Sequence, residues 1–440
     1  MKFRVSKIAA AIAAATMASS AGAVVVVGGD NGWEVSFDGN VNLFYNHIDQ
    51  EATCAGVKVA TGAGPCGFGA LGNVTTTESS LNEGLLPAFF STNIKSPTVN
   101  GLTGTARISF APDSNSAKNT RNDKAGTIDM REVLANVNGS FGTVSFGRTL
   151  GTWSKQPILH DMTLFGVGGI VASGAGGTTL GRIGYGYIYP EFRTRFAYTT
   201  PDINGFKLEV GAFDPQEPLS GITSFETSTP QFQGEATYAT SFTNGNLIVW
   251  AGGVWQEMDQ AITAGDTVTT LGGNFGAEIG YLGFAVTGNY YTGEALGVDF
   301  QTAGLGGAAG SAGGVGLFGA EGFRCGVTPT GTPVCEEADN DGWYVQGTYS
   351  FGQGTKVGVS YGETNQDGQK TNVNGITFND VEHTLWTVGV YHDLTSWLKL
   401  VAEYNNYEQE ATNPNILAPA INKVEGFEAD AFSVGAFMTW

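Results

Sequence analysis

The chain lacks the long apolar runs of a helical membrane protein. Beyond its N-terminal leader no segment reaches 18 consecutive apolar residues, which excludes a transmembrane helix. Methionine is scarce, with 6 residues, whereas 66 glycines, 27 phenylalanines and 15 tyrosines favour strands and turns over helices. A chain that is rich in aromatics and poor in helix signals is typical of a transmembrane β-barrel in composition.

Basic residues are also scarce. The 21 Lys and Arg residues face 41 Asp and Glu residues, so the formal net charge is −20. Because phosphate binding requires clusters of Lys and Arg, this charge balance argues against nucleic acid as a partner. An acidic surface attracts cations instead, including the divalent ions that lie between lipid phosphates.

The first 23 residues have the pattern of an export signal. An apolar core at 8–18 is too short to span a bilayer, and the small residues at 21–23 resemble a cleavage site. We therefore expect residues 1–23 to be removed and residues 24–440 to form one barrel domain that begins near Val24. Three bases leave with the signal, so the net charge of the mature chain becomes −23.

Cysteine is rare, and its spacing does not resemble a zinc site. The chain has 4 cysteines, Cys54, Cys66, Cys325 and Cys335. In an oxidising compartment we expect two local disulfides, Cys54–Cys66 and Cys325–Cys335. Free thiols, or a bridge between the two loops, are the alternatives.

Apolar and polar residues alternate in segments that are long for a soluble protein. From Trp33 to Asn46 the odd positions are apolar and the even positions mostly polar, so one face suits lipid and the other suits water. Segments of about ten residues suit a bilayer crossing, whereas globular strands are commonly about five or six residues long. Sixteen such strands are predicted, at 33–46, 86–96, 102–111, 130–138, 142–148, 193–200, 205–213, 229–242, 246–257, 268–281, 283–291, 342–351, 355–363, 383–392, 397–407 and 427–440.

Short turns and long loops alternate between these segments. An even number of strands with this alternation predicts an all-β fold, a 16-stranded antiparallel transmembrane β-barrel wide enough for an aqueous channel. A soluble β-sandwich has no reason for such strict alternation of connection length. The third long connection, residues 149–192, holds ten glycines and ends in an aromatic run. We expect it to fold into the barrel and narrow the pore.

The chain ends on the last aromatic residue of its last strand. Phe432, Val434, Ala436, Met438 and Trp440 share one face of that strand. This pattern resembles the C-terminal signal that the outer-membrane assembly machinery reads, with Trp440 as the terminal aromatic.

Several short motifs, in this order, resemble the general trimeric porins of the Gram-negative outer membrane. They are Gly142-Thr143-Val144-Ser145-Phe146-Gly147-Arg148, Thr149-Leu150-Gly151, His160-Asp161-Met162, Tyr198-Thr199-Thr200-Pro201 and Asn204-Gly205-Phe206. The resemblance implies a homotrimer, surrounded by outer-membrane lipid and lipopolysaccharide, whose third loop carries an acid that faces arginines on the wall.

The resemblance also assigns residues to the pore constriction. Asp161 would be the loop acid, and Arg131, Arg193 and Arg195 would be the wall arginines. Arg107 joins them because its strand parity points it into the lumen, whereas Arg131 has the wrong parity and needs a bulge or a place above the membrane to face water. The chain departs from the family where a second loop acid is common, at Phe165, and where a further arginine is common, at Ser91.

The expected function is passive diffusion of ions and small hydrophilic solutes across the outer membrane, without a cofactor, a metal or an enzymatic reaction. By strand parity seven bases and six acids face the lumen, so the excess negative charge of the chain lies in the loops and the mouth. We therefore expect a weak cation preference that salt screens. Two alternatives stay open: a channel with one preferred substrate, and a barrel that serves mainly as a surface-binding or envelope-anchoring protein. The lumen-facing charges are Lys95, Arg107, Arg193, Arg195, Lys207, Lys356 and Lys399, and Glu34, Asp38, Glu209, Glu235, Glu278 and Glu403.

Overall fold

The structure, a computed structural model, describes most of the chain beyond the leader. The described residues are 24–28, 31–55, 71–112, 114, 128–170, 178–215, 225–260, 267–297, 322–327, 333–367, 380–413 and 423–440. The expected signal at 1–23 and Cys66 lie outside these ranges. No helix in the described ranges has the length and apolar character that a membrane crossing requires.

Nearly all regular structure in these ranges is antiparallel strand. We number the strands of the main sheet in chain order as β1 (Glu34–Ala55), β2 (Phe89–Lys95), β3 (Thr103–Pro112), β4 (Ile128–Gly139), β5 (Gly142–Leu150), β6 (Phe192–Thr199), β7 (Phe206–Phe213), β8 (Gln231–Phe242), β9 (Gly245–Gln260), β10 (Thr267–Tyr281), β11 (Phe284–Glu294), β12 (Asp339–Ser350), β13 (Thr355–Gln366), β14 (Asp380–Asp393), β15 (Leu398–Asn413) and β16 (Lys423–Thr439). A short α-helix, α1 (Lys155–Leu159), and a 3-10 helix (Met162–Phe165) lie in the third long connection.

The sheet closes into a barrel. Each strand pairs with the next in the chain, and β16 pairs with β1 from Asn40↔Thr439 to Thr53↔Gly426. The backbones of Gly39 and Trp440 exchange two hydrogen bonds, of 3.2 and 3.1 Å, at the end of this seam. Closure removes the unpaired strand edges that lipid could not satisfy. The structure thus confirms the predicted sixteen-stranded antiparallel barrel.

Further strands add to the sheet where the sequence pattern was weak. Val24–Gly28 pairs with the start of β1, and Leu71–Asn82 pairs with its second half. The Leu71–Asn82 segment is rich in Thr and Ser on both faces, so no apolar alternation marks it as a strand. Phe225–Glu226 pairs with the end of β9.

A separate two-stranded sheet lies in the longest connection. Phe323–Val327 pairs with Pro333–Glu337, and Cys325 is directly opposite Cys335 in this pairing. Opposed residues of an antiparallel pair have Cα atoms about 4.5–5.5 Å apart, which is within the range that a disulfide spans. The backbone register is therefore compatible with the predicted Cys325–Cys335 bond, which stays a prediction, as does Cys54–Cys66.

The two faces of the barrel have the polarity that a bilayer requires. On β1 the side chains of Val41, Leu43 and Tyr45 are 57%, 42% and 44% exposed, whereas those of the intervening Asn40 and Asn42 are buried. A soluble protein would bury the apolar set and expose the polar set. Because the arrangement is reversed here, the outer face suits lipid and the inner face suits water or polar contacts.

Candidate functional site

The third long connection packs against the inner face of the barrel. The amide of Met162 donates to Oε1 of Gln346 on β12 at 2.9 Å, and the amide of Gly186 donates to Oγ1 of Thr364 on β13 at 2.9 Å. Both acceptors are inward-facing, buried side chains of the wall. These contacts place the described parts of the loop, 151–170 and 178–191, inside the ring of strands.

One wall carboxylate holds the middle of this loop. Glu403, on β15, is buried, and its Oε2 accepts hydrogen bonds from the amides of Val167 and Gly168, each at 2.9 Å. The hydroxyl of Tyr391 on β14 donates to Oε1 at 2.6 Å. A Cβ atom at Gly166 would overlap this carboxylate, so the absence of a side chain there permits the close approach.

Asp161 lies in the interior of the loop rather than on the pore surface. Its carboxylate accepts hydrogen bonds from the amide of Thr163 at 2.9 Å, the amide of Arg182 at 3.2 Å and the hydroxyl of Tyr187 at 2.8 Å. Burial, followed by the nearby Asp161 charge, raises the pKa of Tyr187 well above its usual value, so the hydroxyl remains a donor. Asp161 caps the 3-10 helix and is only 4% exposed, which corrects the pore-facing position expected for it.

A second segment, at the end of the first long connection, also turns inward. Residues 83–88 were expected partly in a strand that begins at 86, but β2 begins at Phe89. The side chain of Asn42 accepts from the amide of Gly84 and donates to the carbonyl of Leu86, both at 2.9 Å. The amide of Leu85 donates to the carbonyl of Gly166 at 3.0 Å, so this segment supports the third loop from the other side.

A cavity of about 1760 Å³ remains between the third loop and part of the wall. It is lined by inward-facing residues of β1 to β9 and by the short turns at the ends of these strands. The loop contributes Lys155, Gln156 and Leu159 of α1, whereas Pro157 and Ile158 of this helix are buried. The loop therefore packs on β12 to β15, where Gln346, Thr364 and Glu403 accept its amides, and the cavity lies on the side of β1 to β9.

Two of the predicted arginines line this cavity. Arg107 forms ion pairs with Asp38 at 2.8 Å and with Glu132 at 2.6 Å. Arg195 forms an ion pair with Glu209 at 2.6 Å. Neither guanidinium faces an acid of the third loop, so the contacts that balance these charges lie within the wall.

The other two predicted arginines do not line the cavity. The pairing of β3 with β4 skips Arg131, which is thus the extra residue of a bulge, one of the two arrangements that its parity left open. Its guanidinium forms an ion pair with Asp129 at 2.9 Å. Arg193 is buried and donates to Oε1 of Gln231 at 3.0 Å. The five residues predicted for the constriction are therefore not brought together in one place.

Lys155 is a charged residue of the cavity that the sequence reasoning missed. Its Nζ lies 3.0 Å from Oε2 of Glu209, and the neighbouring Gln156 donates from Nε2 to Glu235 at 3.2 Å. Strand parity already placed Glu209 and Glu235 inward, but a loop residue has no parity from which its direction can be predicted. Only the position of α1 brings Lys155 to the wall.

Comparison with known proteins agrees with this geometry. The family model of the Gram-negative porins matches residues 8–412. The chain belongs to the Gram-negative porin family. This porin is an outer-membrane protein, and its function is passive diffusion of ions and small hydrophilic solutes. A search of curated proteins found no significant match.

Solved structures share the fold at low sequence identity. The outer membrane channel DcaP of Acinetobacter baumannii matches with a TM-score of 0.62 and 13% identity, over 95% of this chain and 100% of that chain. An anion-selective porin from Comamonas acidovorans matches with a TM-score of 0.57 and 13% identity, over 93% of this chain and 100% of that chain. OmpT of Vibrio cholerae, folded in vitro, matches with a TM-score of 0.51 and 15% identity, over 93% and 98% of the two chains. At this identity the likeness describes the barrel, and selectivity has to be argued from this porin's own residues.

Proposed function

We propose that ions and small hydrophilic solutes cross this porin along the side of the lumen near β1 to β9, past the exposed face of α1. The observation that carries the proposal is the polar cavity between α1 and that wall, inside a closed barrel with an apolar outer face. No cofactor or reaction is needed for this function.

The charges that line the cavity favour weak ion selectivity. Five bases and six acids line it among the described residues, so its formal charge is −1. These residues are Lys95, Arg107, Lys155, Arg195 and Lys207, and Glu34, Asp38, Glu132, Asp202, Glu209 and Glu235. Most are paired with one another, and salt screens what remains over about 10 Å at 0.1 M ionic strength. We expect a slight cation preference that fades as salt is added.

The assembly belongs to the same proposal. Family membership supports a homotrimer that is surrounded by outer-membrane lipid and lipopolysaccharide, with Trp440 at the end of the strand that the assembly machinery would read. Chemical cross-linking of the purified protein in detergent tests the trimer. A product no larger than one chain, under conditions in which the barrel stays folded, would contradict it.

Planar-bilayer recording tests the conduction path itself. Large stepwise currents with a reversal potential near zero in a salt gradient are expected. A barrel that inserts but carries no current would favour the surface-binding or envelope-anchoring alternative. Competition of one solute for the current, at concentrations where related solutes have no effect, would favour the substrate-preferring channel.

A further inference from the structure

One carboxylate on the cavity wall is shared by two bases. Glu209, on β7, lies 3.0 Å from Nζ of Lys155 and 2.6 Å from Nη1 of Arg195. The hydroxyl of Thr152 also donates to this carboxylate and accepts a hydrogen bond from Arg195 at 3.0 Å. Thr152 and Lys155 belong to the third loop, whereas Arg195 and Glu209 belong to neighbouring strands. The carboxylate thus joins the loop to the wall at the open side of the lumen.

This group contains the donors of a binding site for a small carboxylate. Two cations and a hydroxyl converge on one pair of oxygens, which is the arrangement that binds an anionic oxygen acid most strongly in proteins. Lys155, Arg195 and Glu209 all line the cavity, and their side chains are 13%, 8% and 14% exposed. In the native chain the occupant of this site is the side chain of Glu209.

The other ion-pair group of the cavity has the opposite proportion of charges. There, a single base, Arg107, is shared by Asp38 and Glu132. If either acid is removed, the other still neutralises Arg107. If Glu209 is removed, Arg195 keeps no carboxylate within ion-pair distance among the described residues, and the acid that remains near Lys155 is Glu235, which accepts a hydrogen bond from the neighbouring Gln156. The two groups therefore differ in whether each base keeps a paired carboxylate after one acid is lost.

We propose that Glu209 determines the ion selectivity of this porin by acting as a built-in counter-ion for Lys155 and Arg195. Its removal exposes an anion site that takes a small monocarboxylate from solution. The inference rests on the proposed conduction along β1 to β9. Glu209, rather than Asp161, is then the acid on which the charge of the narrow part of the lumen depends.

The test is the reversal potential of Glu209→Gln in a dilute salt gradient. At a distance of about 8 Å in a water-like dielectric, one added unit of positive charge changes the local concentration of each ion about twofold, in opposite directions for the two signs. The cation-to-anion permeability ratio should fall about four- to fivefold and become anion-selective. Glu132→Gln removes the same unit of negative charge and should shift the reversal potential in the same direction, but it leaves Arg107 paired with Asp38 and should create no acetate site.

A second measurement examines the anion site directly. Acetate added at constant ionic strength should reduce the current of Glu209→Ala in a saturable way and leave that of Glu132→Ala unchanged. Glu209→Asp should keep the native selectivity, and Glu408→Gln, on the outer face of β15, is the control for a remote loss of charge. If Glu209→Ala does not assemble, the comparison of Glu209→Gln with Glu209→Asp decides.

The two possible failures are distinguishable. A wild-type barrel that conducts no ions overturns the proposed function itself. Normal conductance with a native reversal potential in Glu209→Gln, or an equal effect of acetate on Glu132→Ala, overturns the role of Glu209 and leaves the channel function standing.

Discussion

The carboxylate of Glu403 anchors the third loop to the wall, and its loss should release the loop. In Glu403→Leu the amides of Val167 and Gly168 and the hydroxyl of Tyr391 lose their buried acceptor. A buried donor without a partner costs about 1–3 kcal/mol. Two such amides therefore lower the free energy of local opening by roughly 2–6 kcal/mol, even if the tyrosine hydroxyl finds another partner.

Glu403→Gln is the matched comparison, because its amide oxygen can take the place of Oε2. Both backbone amides contact the same oxygen, Oε2, so a glutamine keeps one acceptor for the pair. The hydroxyl of Tyr391 can rotate to accept from the new amide group. We expect this variant to lose only about 1 kcal/mol of local stability, as is usual when a neutral acceptor replaces a charged one.

Hydrogen exchange followed by mass spectrometry, on a peptide that contains residues 166–168, measures the effect. Since about 1.4 kcal/mol corresponds to a tenfold change, exchange in Glu403→Leu should be faster by at least about thirtyfold. Its single-channel current should also become larger and noisier, because the released loop no longer stays against β12 to β15. Native exchange rates at Val167 and Gly168 in this variant would refute the anchoring role, and Glu408→Leu on the outer face serves as the control.

Three further predictions concern other positions in the chain. Gly84→Ala should destabilise the barrel by about 1–3 kcal/mol, because the added Cβ would collide with the backbone of the third loop. A lower thermal unfolding temperature measures this loss. Gly347→Ala, whose Cβ would have no atom within 4 Å, should have little effect. Asp161→Asn should destabilise the loop by about 1–3 kcal/mol and leave the reversal potential unchanged, so a shift as large as that of Glu209→Gln would contradict its buried position. A peptide map of the unreduced protein should contain a Cys325–Cys335 cross-link, and alkylation of both thiols without prior reduction would exclude it.

The sixteen strands could be predicted because their signal is local. A strand has a side-chain period of two, and a bilayer outside with water inside forces opposite polarity onto the two faces along each crossing. Each segment therefore carries its own evidence of orientation, independent of its neighbours. The strand Leu71–Asn82 was not predicted because both of its faces are polar, so its sequence lacks the alternation that a bilayer imposes.

The site could not be predicted to the same degree because its contacts are not local. Arg107 meets Asp38, which is 69 residues away, and Thr152 meets Glu209, which is 57 residues away. Motif resemblance placed Asp161 at the constriction, but Arg182 and Tyr187 donate to this carboxylate and enclose it. Arg131 is the intermediate case, since its parity called for either a bulge or a place above the membrane, and the strand pairing contains the bulge.

The sequence alone determined that this chain forms a closed barrel and presents charged side chains to the lumen, since hydropathy and period two act residue by residue. The tertiary structure alone decided which of those charges line the cavity. The third loop lies against β12 to β15, where Glu403 accepts its amides, and the cavity lies on the side of β1 to β9, where Lys155 meets Glu209. The position of the third loop cannot be predicted from any single segment, because it depends on which buried donors and acceptors from distant parts of the chain form hydrogen bonds with one another.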